Sequence, residues 1–196
     1  FQEFHLIPIC DFSKAVLVNK RASENVKKIL KNVDKDFKGE RNDESAWQTS
    51  LGNDAVLEVM KNVRDNMKDE FKVRIHLGID VAASSFYRKG KYVYRNPRGE
   101  KLKGAQVKYI RELAEEVFYI EDPMEENDFL GFSKLKSKGL IVGDDLIVTN
   151  LSRLKVAKLK GSVNAVIIKP NQIGSLLEVS SIVKFCIRMC CGSSPS

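Results

Sequence analysis

The segment Val117-Phe118-Tyr119-Ile120-Glu121 is a short apolar run that ends on a carboxylate. The same pattern returns at Leu140-Ile141-Val142-Gly143-Asp144 and, with a lysine as the last residue, at Ala165-Val166-Ile167-Ile168-Lys169. Helical spacing of apolar residues fills the chain between these runs. Strands that are apolar on both faces and alternate with helices are typical of a parallel sheet covered by helices. The pattern therefore predicts an α/β fold.

The N-terminal half extends this order with longer elements. Residues 4–9 predict a buried strand, residues 12–30 predict a helix, and residues 73–80 predict a second strand that ends at Asp80. Between the helix and the second strand, an apolar period predicts another helix with Asn53 as its N-cap. Because no repeat or linker divides the chain, the sequence predicts one domain.

An excursion interrupts the alternation between residues 85 and 102. A glycine at position 90 lies between Tyr87 and Tyr92, which predicts a β-hairpin, and Asn96-Pro97-Arg98-Gly99 predicts a second turn. Further helices are predicted from residue 105, around residues 129–135 and 151–157, and from residue 175 to about residue 185.

The composition narrows the class of protein. The chain has 196 residues, of which 43% are hydrophobic and 30% charged, so it can bury a core. Its apolar runs stay below the roughly 18 residues of a membrane span, and no membrane insertion is expected. The net charge of +7 suits a phosphorylated substrate as well as a nucleic acid, but the lysines are dispersed along the chain. The cysteine spacing fits neither a zinc site nor a disulfide framework, which predicts reduced thiols in a cytoplasmic protein.

Four charged residues stand at the ends of predicted strands: Asp80, Glu121, Asp144 and Lys169. Parallel strands present their C-terminal ends at one face of a barrel, so these side chains are predicted to converge. Converging carboxylates need a cation, and hard oxygen ligands favour Mg²⁺. A lysine beside such an ion would have a lowered pKa and would suit a general base that removes a proton next to a carboxylate.

For each acid taken alone, the alternative is a helix cap or a surface charge. Asp144-Asp145, followed by Thr149-Asn150, can cap a helix, and Asp122 before Pro123 can do the same. The shared position of four charged residues at strand ends favours a common site.

Five motifs in this sequence resemble the enolase family. They are Gln2-Glu3-Phe4, Ile79-Asp80-Val81-Ala82-Ala83-Ser84, Ile120-Glu121-Asp122-Pro123, Val142-Gly143-Asp144-Asp145-Leu146-Ile147-Val148-Thr149-Asn150 and Lys169-Pro170-Asn171-Gln172-Ile173-Gly174. They occur in family order, and Lys169-Pro170 points to the archaeal branch. The resemblance implies an incomplete TIM-type (β/α) barrel with roughly five of its eight parallel strands. It implies a partial enolase C-terminal barrel domain in residues 1–186 and a non-family, irregular tail in residues 187–196.

The resemblance also implies a reaction, which is the Mg²⁺-dependent dehydration of 2-phospho-D-glycerate to phosphoenolpyruvate in glycolysis and gluconeogenesis. The implied roles are metal ligand for Asp80, Glu121 and Asp144, general base for Lys169, and assistance to hydroxide loss for Glu44 with Glu3. The family's glycines near this glutamate are replaced by Asn42 and Ser45, which puts the flexibility of the loop in question. The resemblance further implies a homodimer or higher oligomer that binds a small-molecule substrate and no nucleic acid. His5 and His76 receive no catalytic role.

The family pattern continues beyond this sequence at both ends. A Ser-His-Arg-Ser phosphate loop and a second lysine would follow the last helix, whereas residues 187–196 carry neither, and the chain begins at Phe1 rather than Met. The chain is therefore expected to be a fragment with weak or no activity. Two other interpretations stay open: a non-catalytic enolase remnant or scaffold, and a nucleic-acid-binding module that uses the hairpin Arg88-Lys89-Gly90-Lys91-Tyr92.

Overall fold

The computed structural model describes residues 1–95, 98–135 and 137–190. It contains two sheets. The strands are β1 (Glu3–Ile9), β2 (Arg74–Asp80), β3 (Tyr87–Arg88), β4 (Lys91–Arg95), β5 (Arg98–Leu102), β6 (Tyr119–Glu121), β7 (Leu140–Gly143) and β8 (Ala165–Val166). The main sheet has the order β1-β2-β6-β7-β8, and β3-β4-β5 form the smaller one.

The main sheet is an open segment of a barrel with β1 and β8 at its edges. Strands β2, β6, β7 and β8 run parallel, as the sequence predicts, but β1 is antiparallel to β2. The reason lies in the connection, because two helices in succession return the chain to the end of the sheet at which β1 finishes. The antiparallel register sets Glu3 opposite Asp80. The first residues of β1 therefore lie beside the C-terminal end of β2.

The described residues form seven α-helices and one short 3-10 helix, Ala83–Phe86. The α-helices are α1 (Phe12–Val33), α2 (Asn53–Phe71), α3 (Lys103–Leu113), α4 (Phe129–Ser133), α5 (Leu151–Lys160), α6 (Pro170–Ile173) and α7 (Leu176–Cys190). The N-cap of α5 is Asn150, whose side chain accepts hydrogen bonds from the backbone N–H groups of Ser152 and Arg153, so neither Asp144 nor Asp145 caps this helix. The predicted cap at Asn53 is wrong, because Gly52 is the N-cap of α2 and Asn53 is the first helical residue.

The short helix α6 was not predicted. Pro170 begins it and Gly174 ends it in the left-handed conformation, with φ of 70°. Proline at the first helical position and glycine just past the last are the usual signals of a helix start and stop. A helix of only four residues is too short to show an apolar period, so the pattern that predicts the longer helices is absent here.

The predicted excursion forms the sheet β3-β4-β5, and Gly90 takes a φ of 83° in its first turn. The second predicted turn falls on residues 96 and 97, which lie outside the described residues. Within the hairpin, the Arg88 guanidinium donates to the backbone carbonyls of Ser85 and Tyr87, and Lys91 pairs with Glu100. Two of the cations considered for nucleic-acid binding are thus engaged within the chain.

Helix α7 differs from the prediction at its end. Residues 187–190 are helical rather than irregular, since α7 continues to Cys190. The stretch contains no glycine or proline before Gly192, and Ile182 anchors the helix by being almost fully buried. Residues 191–196 of the predicted tail lie outside the described residues. No helix in the described part of the chain is long and apolar enough to cross a membrane.

The core lies between the sheet and the helices, and Phe132 of α4 is one of its largest fully buried side chains. Replacing Phe132 with alanine is expected to lower the free energy of unfolding by about 3–5 kcal/mol, because it removes buried apolar area and leaves a cavity. Chemical denaturation followed by circular dichroism would measure this loss. Leu130 of the same helix is 60% exposed and provides the control, since Leu130→Ala is expected to change stability by no more than about 0.5 kcal/mol.

Candidate active site

A cavity of about 430 Å³ lies at the C-terminal ends of the parallel strands and the N-terminal end of β1. Seven carboxylates line it: Glu3, Glu44, Asp80, Glu121, Asp122, Asp144 and Asp145. Lys169 lines it as well, together with His5, Tyr119 and Gln172. All six residues singled out in the sequence as metal ligands or catalytic groups therefore face one cavity.

Asp80 and Glu121 end neighbouring strands and lie directly opposite each other in the parallel register. Burial raises the pKa of Asp80 to about 8, and the nearby charge of Glu121 adds to the effect. Burial likewise raises the pKa of Glu121, although the hydroxyl of Tyr119, which donates to its carboxylate at 2.5 Å, works against that shift. Two buried carboxylates that disfavour their own negative charge are a suitable place for a cation.

Asp122 is a buried acid of this cavity for which the residues around it suggest only a helix-capping role. Its carboxylate accepts hydrogen bonds from the backbone N–H groups of Asp144, at 3.2 Å, and Asp145, at 2.7 Å, with a longer one from Leu146. Asp122 therefore fixes the loop that follows β7 and does not cap the helix that follows Asp122 in the sequence. Burial raises the pKa of Asp122 to about 7.

Glu121, Asp122 and Asp144 offer carboxylate oxygens that all lie within 4.8 Å of one another. This group differs from the predicted set, which has Asp80 in place of Asp122. The Asp122 oxygens already accept backbone N–H groups, whereas Asp80 accepts a single one, from Ala82 at 2.9 Å. We therefore assign Asp122 to the loop and keep Asp80 with Glu121 and Asp144 as the candidate ligands.

Lys169 lies just past β8, where its ammonium pairs with the Asp144 carboxylate. Gln172 donates to the other oxygen of Asp144 at 3.0 Å. The buried hydroxyl of Thr149 connects these groups, because it accepts the backbone N–H of Lys169 and donates to the Gln172 side chain, each at 2.8 Å. Lys169, Asp144 and Gln172 are thus held in one hydrogen-bonded arrangement.

The pKa of Lys169 is raised above its ordinary value, mainly by the hydrogen bond to Asp144. The lowered pKa predicted from the sequence assumes that a cation is bound beside the lysine. Facing carboxylates alone, the ammonium is stabilised instead.

Glu3 and Glu44 reach the cavity from the N-terminal part of the chain. Glu3 lies at the start of β1 and is hydrogen-bonded to Nε2 of His5 at 2.9 Å. Glu44 is exposed, on the loop between α1 and α2. His5 received no role from the sequence, but its position two residues after Glu3 in the same strand puts both side chains on one face, which is a signal that alternation provides.

The backbone is strained around the cavity. Ala82, Asp122, Val148 and Thr149 all have positive φ, between 39° and 48°. Non-glycine residues in this region cost of order 1–3 kcal/mol each, and such strain concentrates at functional sites. Here it accompanies the turns that aim the Asp122 and Thr149 side chains at their partners.

The composition of the cavity fits a hard divalent cation. Seven acids face one lysine in the described lining, so a phosphorylated substrate would meet strong repulsion without added positive charge. Every candidate ligand atom is a carboxylate oxygen, the donor type that Mg²⁺, Ca²⁺ and Mn²⁺ prefer.

Comparison with known proteins places the chain among the enolases. The family described as "Enolase, C-terminal TIM barrel domain" matches residues 1–193, a range that includes most of the segment expected to lie outside the family. The enolase of Methanothermobacter thermautotrophicus is 35% identical over 95% of this chain and 47% of its own length. The enolase of Pyrobaculum aerophilum is 39% identical over 93% of this chain and 45% of its own length. The chain thus spans about half the length of the archaeal enolases it matches.

Proposed function

Because the chain belongs to the enolase family, we propose that its cavity serves the Mg²⁺-dependent dehydration of 2-phospho-D-glycerate to phosphoenolpyruvate. The observation that supports the proposal is the meeting of Asp80, Glu121, Asp144 and Lys169 in one cavity. A carboxylate-rich metal site beside a lysine is an arrangement suited to removing a proton next to a carboxylate.

In this proposal Asp80, Glu121 and Asp144 hold the ion. When bound, Mg²⁺ would supply positive charge that stabilises the negative charge developing on the substrate carboxylate and lowers the pKa of Lys169. The Lys169 amine takes the proton from C2 of the substrate. Glu44, with Glu3 beside it, provides a proton to the hydroxyl leaving C3, so that one water is lost in all.

The direct test is the formation of phosphoenolpyruvate from 2-phospho-D-glycerate by the 196-residue chain, with and without Mg²⁺. We expect slow, Mg²⁺-dependent product formation, below the usual range of about 1–10³ turnovers per second. The physical reason for the low rate is that the described lining offers a single lysine to a highly charged substrate. Mg²⁺ binding without product and without exchange of the substrate's C2 proton would instead support a non-catalytic relative of enolase.

We further propose that this protein is cytoplasmic and assembles as a homodimer or higher oligomer. Sedimentation of the purified chain would test the assembly. Salt-dependent binding to generic DNA would argue for the nucleic-acid interpretation, since such binding follows the number of phosphates neutralised.

A further inference from the structure

The loop between α1 and α2 carries Glu44, and its two ends are joined by Asp34. The Asp34 carboxylate accepts hydrogen bonds from the Thr49 and Ser50 hydroxyls, both at 2.6 Å, and from the Ser50 backbone N–H at 2.8 Å. It also accepts the backbone N–H of Asp36 at 3.0 Å. Asp34 is only 4% exposed. One buried carboxylate therefore closes a segment of about fifteen residues at its base.

The middle of the loop is fixed to α1 through Trp47. Its indole N–H donates to the backbone carbonyl and the hydroxyl of Ser23, each at 3.0 Å. The guanidinium of Arg41 lies 4.0 Å from the ring centre and the ammonium of Lys27 lies 4.9 Å from it. Cations at these distances stabilise an aromatic ring in its position.

The tip of the loop is held by Asn42, two residues before Glu44. Its side-chain amide donates to the carbonyl of Gln2 at 3.2 Å, and its side-chain oxygen accepts the backbone N–H of Ala46 at 2.8 Å. The first bond joins the loop to the residue that precedes Glu3. The second closes a tight turn in which Ser45 has a φ of 66°.

We propose that Asp34 and Asn42 are positioning residues that together hold Glu44 at the rim of the cavity, next to Glu3. Asp34 fixes the base of the loop and Asn42 fixes its tip to β1. The inference rests on the proposed function for the role of Glu44, but the positioning itself is a property of the chain. A loop that is already ordered by its own hydrogen bonds loses little conformational entropy when the substrate binds. Substrate binding is therefore not weakened by the cost of ordering the loop.

The electrostatics of Asp34 agree with this role. Hydrogen bonds from the Ser50 and Thr49 side chains lower its pKa to about 2, so the carboxylate stays ionised at neutral pH. Hydrogen bonds to an ionised acceptor are stronger than neutral ones. The base of the loop is therefore its firmest attachment.

Two structural measurements test the positioning. Trypsin can cleave after Lys35, Lys38 and Arg41, all within the loop, and Trp47 is the chain's single tryptophan, so its fluorescence reports on the same segment. Asp34→Asn and Asn42→Gly are expected to speed cleavage in the loop about tenfold or more, since each removes hydrogen bonds that keep it closed. Both should also increase quenching of Trp47 by acrylamide. The matched control is Asp36→Asn, which changes an exposed residue of the same loop. It should leave the rate of tryptic cleavage and the quenching of Trp47 unchanged.

A functional measurement separates positioning from general damage. Exchange of the C2 proton with solvent reports on Lys169 alone, whereas formation of phosphoenolpyruvate also requires Glu44. In Asp34→Asn and Asn42→Gly, product formation should fall about tenfold or more while exchange stays near the rate of the unmodified chain. Thr49→Val removes one hydrogen-bond donor to Asp34 and should cause a smaller loss of product formation, again without loss of exchange. It replaces Asp34→Asn in the test if that variant does not fold.

Unchanged tryptic cleavage and Trp47 quenching in both variants would overturn the proposal, as would an equal loss of exchange and product formation. If the unmodified chain neither exchanges the proton nor forms product, the proposed function fails. The cleavage and fluorescence measurements would then still decide whether Asp34 and Asn42 hold the loop.

Discussion

Replacing Lys169 with alanine is expected to slow exchange of the C2 proton of 2-phospho-D-glycerate by about 10²–10⁴-fold, the usual contribution of a general base. The reason is geometric. In the described lining, Lys169 is the lysine that faces the candidate metal carboxylates, and its ammonium already contacts Asp144. Exchange is the informative measurement because it isolates the proton step from the later loss of hydroxide. It also accumulates over hours, so a slow catalyst still gives a signal.

The control for this experiment is Lys155→Ala, on the exposed side of α5. It changes the net charge by the same amount and should leave exchange unaltered. Exchange at the unmodified rate in Lys169→Ala would mean that another group takes the proton. The His5 imidazole and the Glu3 carboxylate, which line the same cavity, would then be the next candidates.

The sequence predicted the parallel part of the sheet well because its signal is local. Each of β6, β7 and β8 is an apolar run with a charged residue at or soon after its end. Glu121, Asp144 and Lys169 follow one another at separations of 23 and 25 residues, each about the length of one strand and one helix. Both helices between β1 and β2 are predicted from the sequence, but the orientation of β1 depends on how these helices pack on the sheet, which no local pattern expresses. Glu3 was therefore found only through the family resemblance. Its place opposite Asp80 is a consequence of the antiparallel register.

The role of Asp122 was beyond prediction for a related reason. Its hydrogen-bond partners lie 22–24 residues further along the chain, in the loop after the neighbouring strand. A residue next to proline resembles a helix cap when only its neighbours in sequence are considered. Hydrogen bonds between loops of adjacent strands become visible only once the sheet is assembled. The same holds for Thr149, whose hydroxyl connects two groups of the next strand-helix unit.

Replacing Asp144 with alanine is expected to weaken Mg²⁺ binding by about 100-fold or more. Loss of groups that merely orient metal ligands costs roughly 10–100-fold in affinity, and loss of a ligand should cost at least as much. Isothermal titration of the chain with Mg²⁺ would measure the change. Asp69→Ala, which removes an exposed acid on α2, is the control for the altered net charge. Unchanged affinity in Asp144→Ala would contradict the assignment of this ligand.

Asp122 provides the sharper contrast. It lies in the same cluster of oxygens as Asp144, but its carboxylate accepts backbone N–H groups, and it is therefore left out of the proposed ligand set. Asp122→Ala leaves up to three backbone N–H groups without an acceptor, at a cost of about 1–3 kcal/mol for each one that stays buried. Its main effect should therefore be a lower free energy of unfolding, measured without Mg²⁺. Asp144→Ala relieves repulsion among the carboxylates and should cost less stability. If the two substitutions reduce Mg²⁺ affinity equally and Asp122→Ala leaves stability unchanged, Asp122 is a ligand and the loop is held by other contacts.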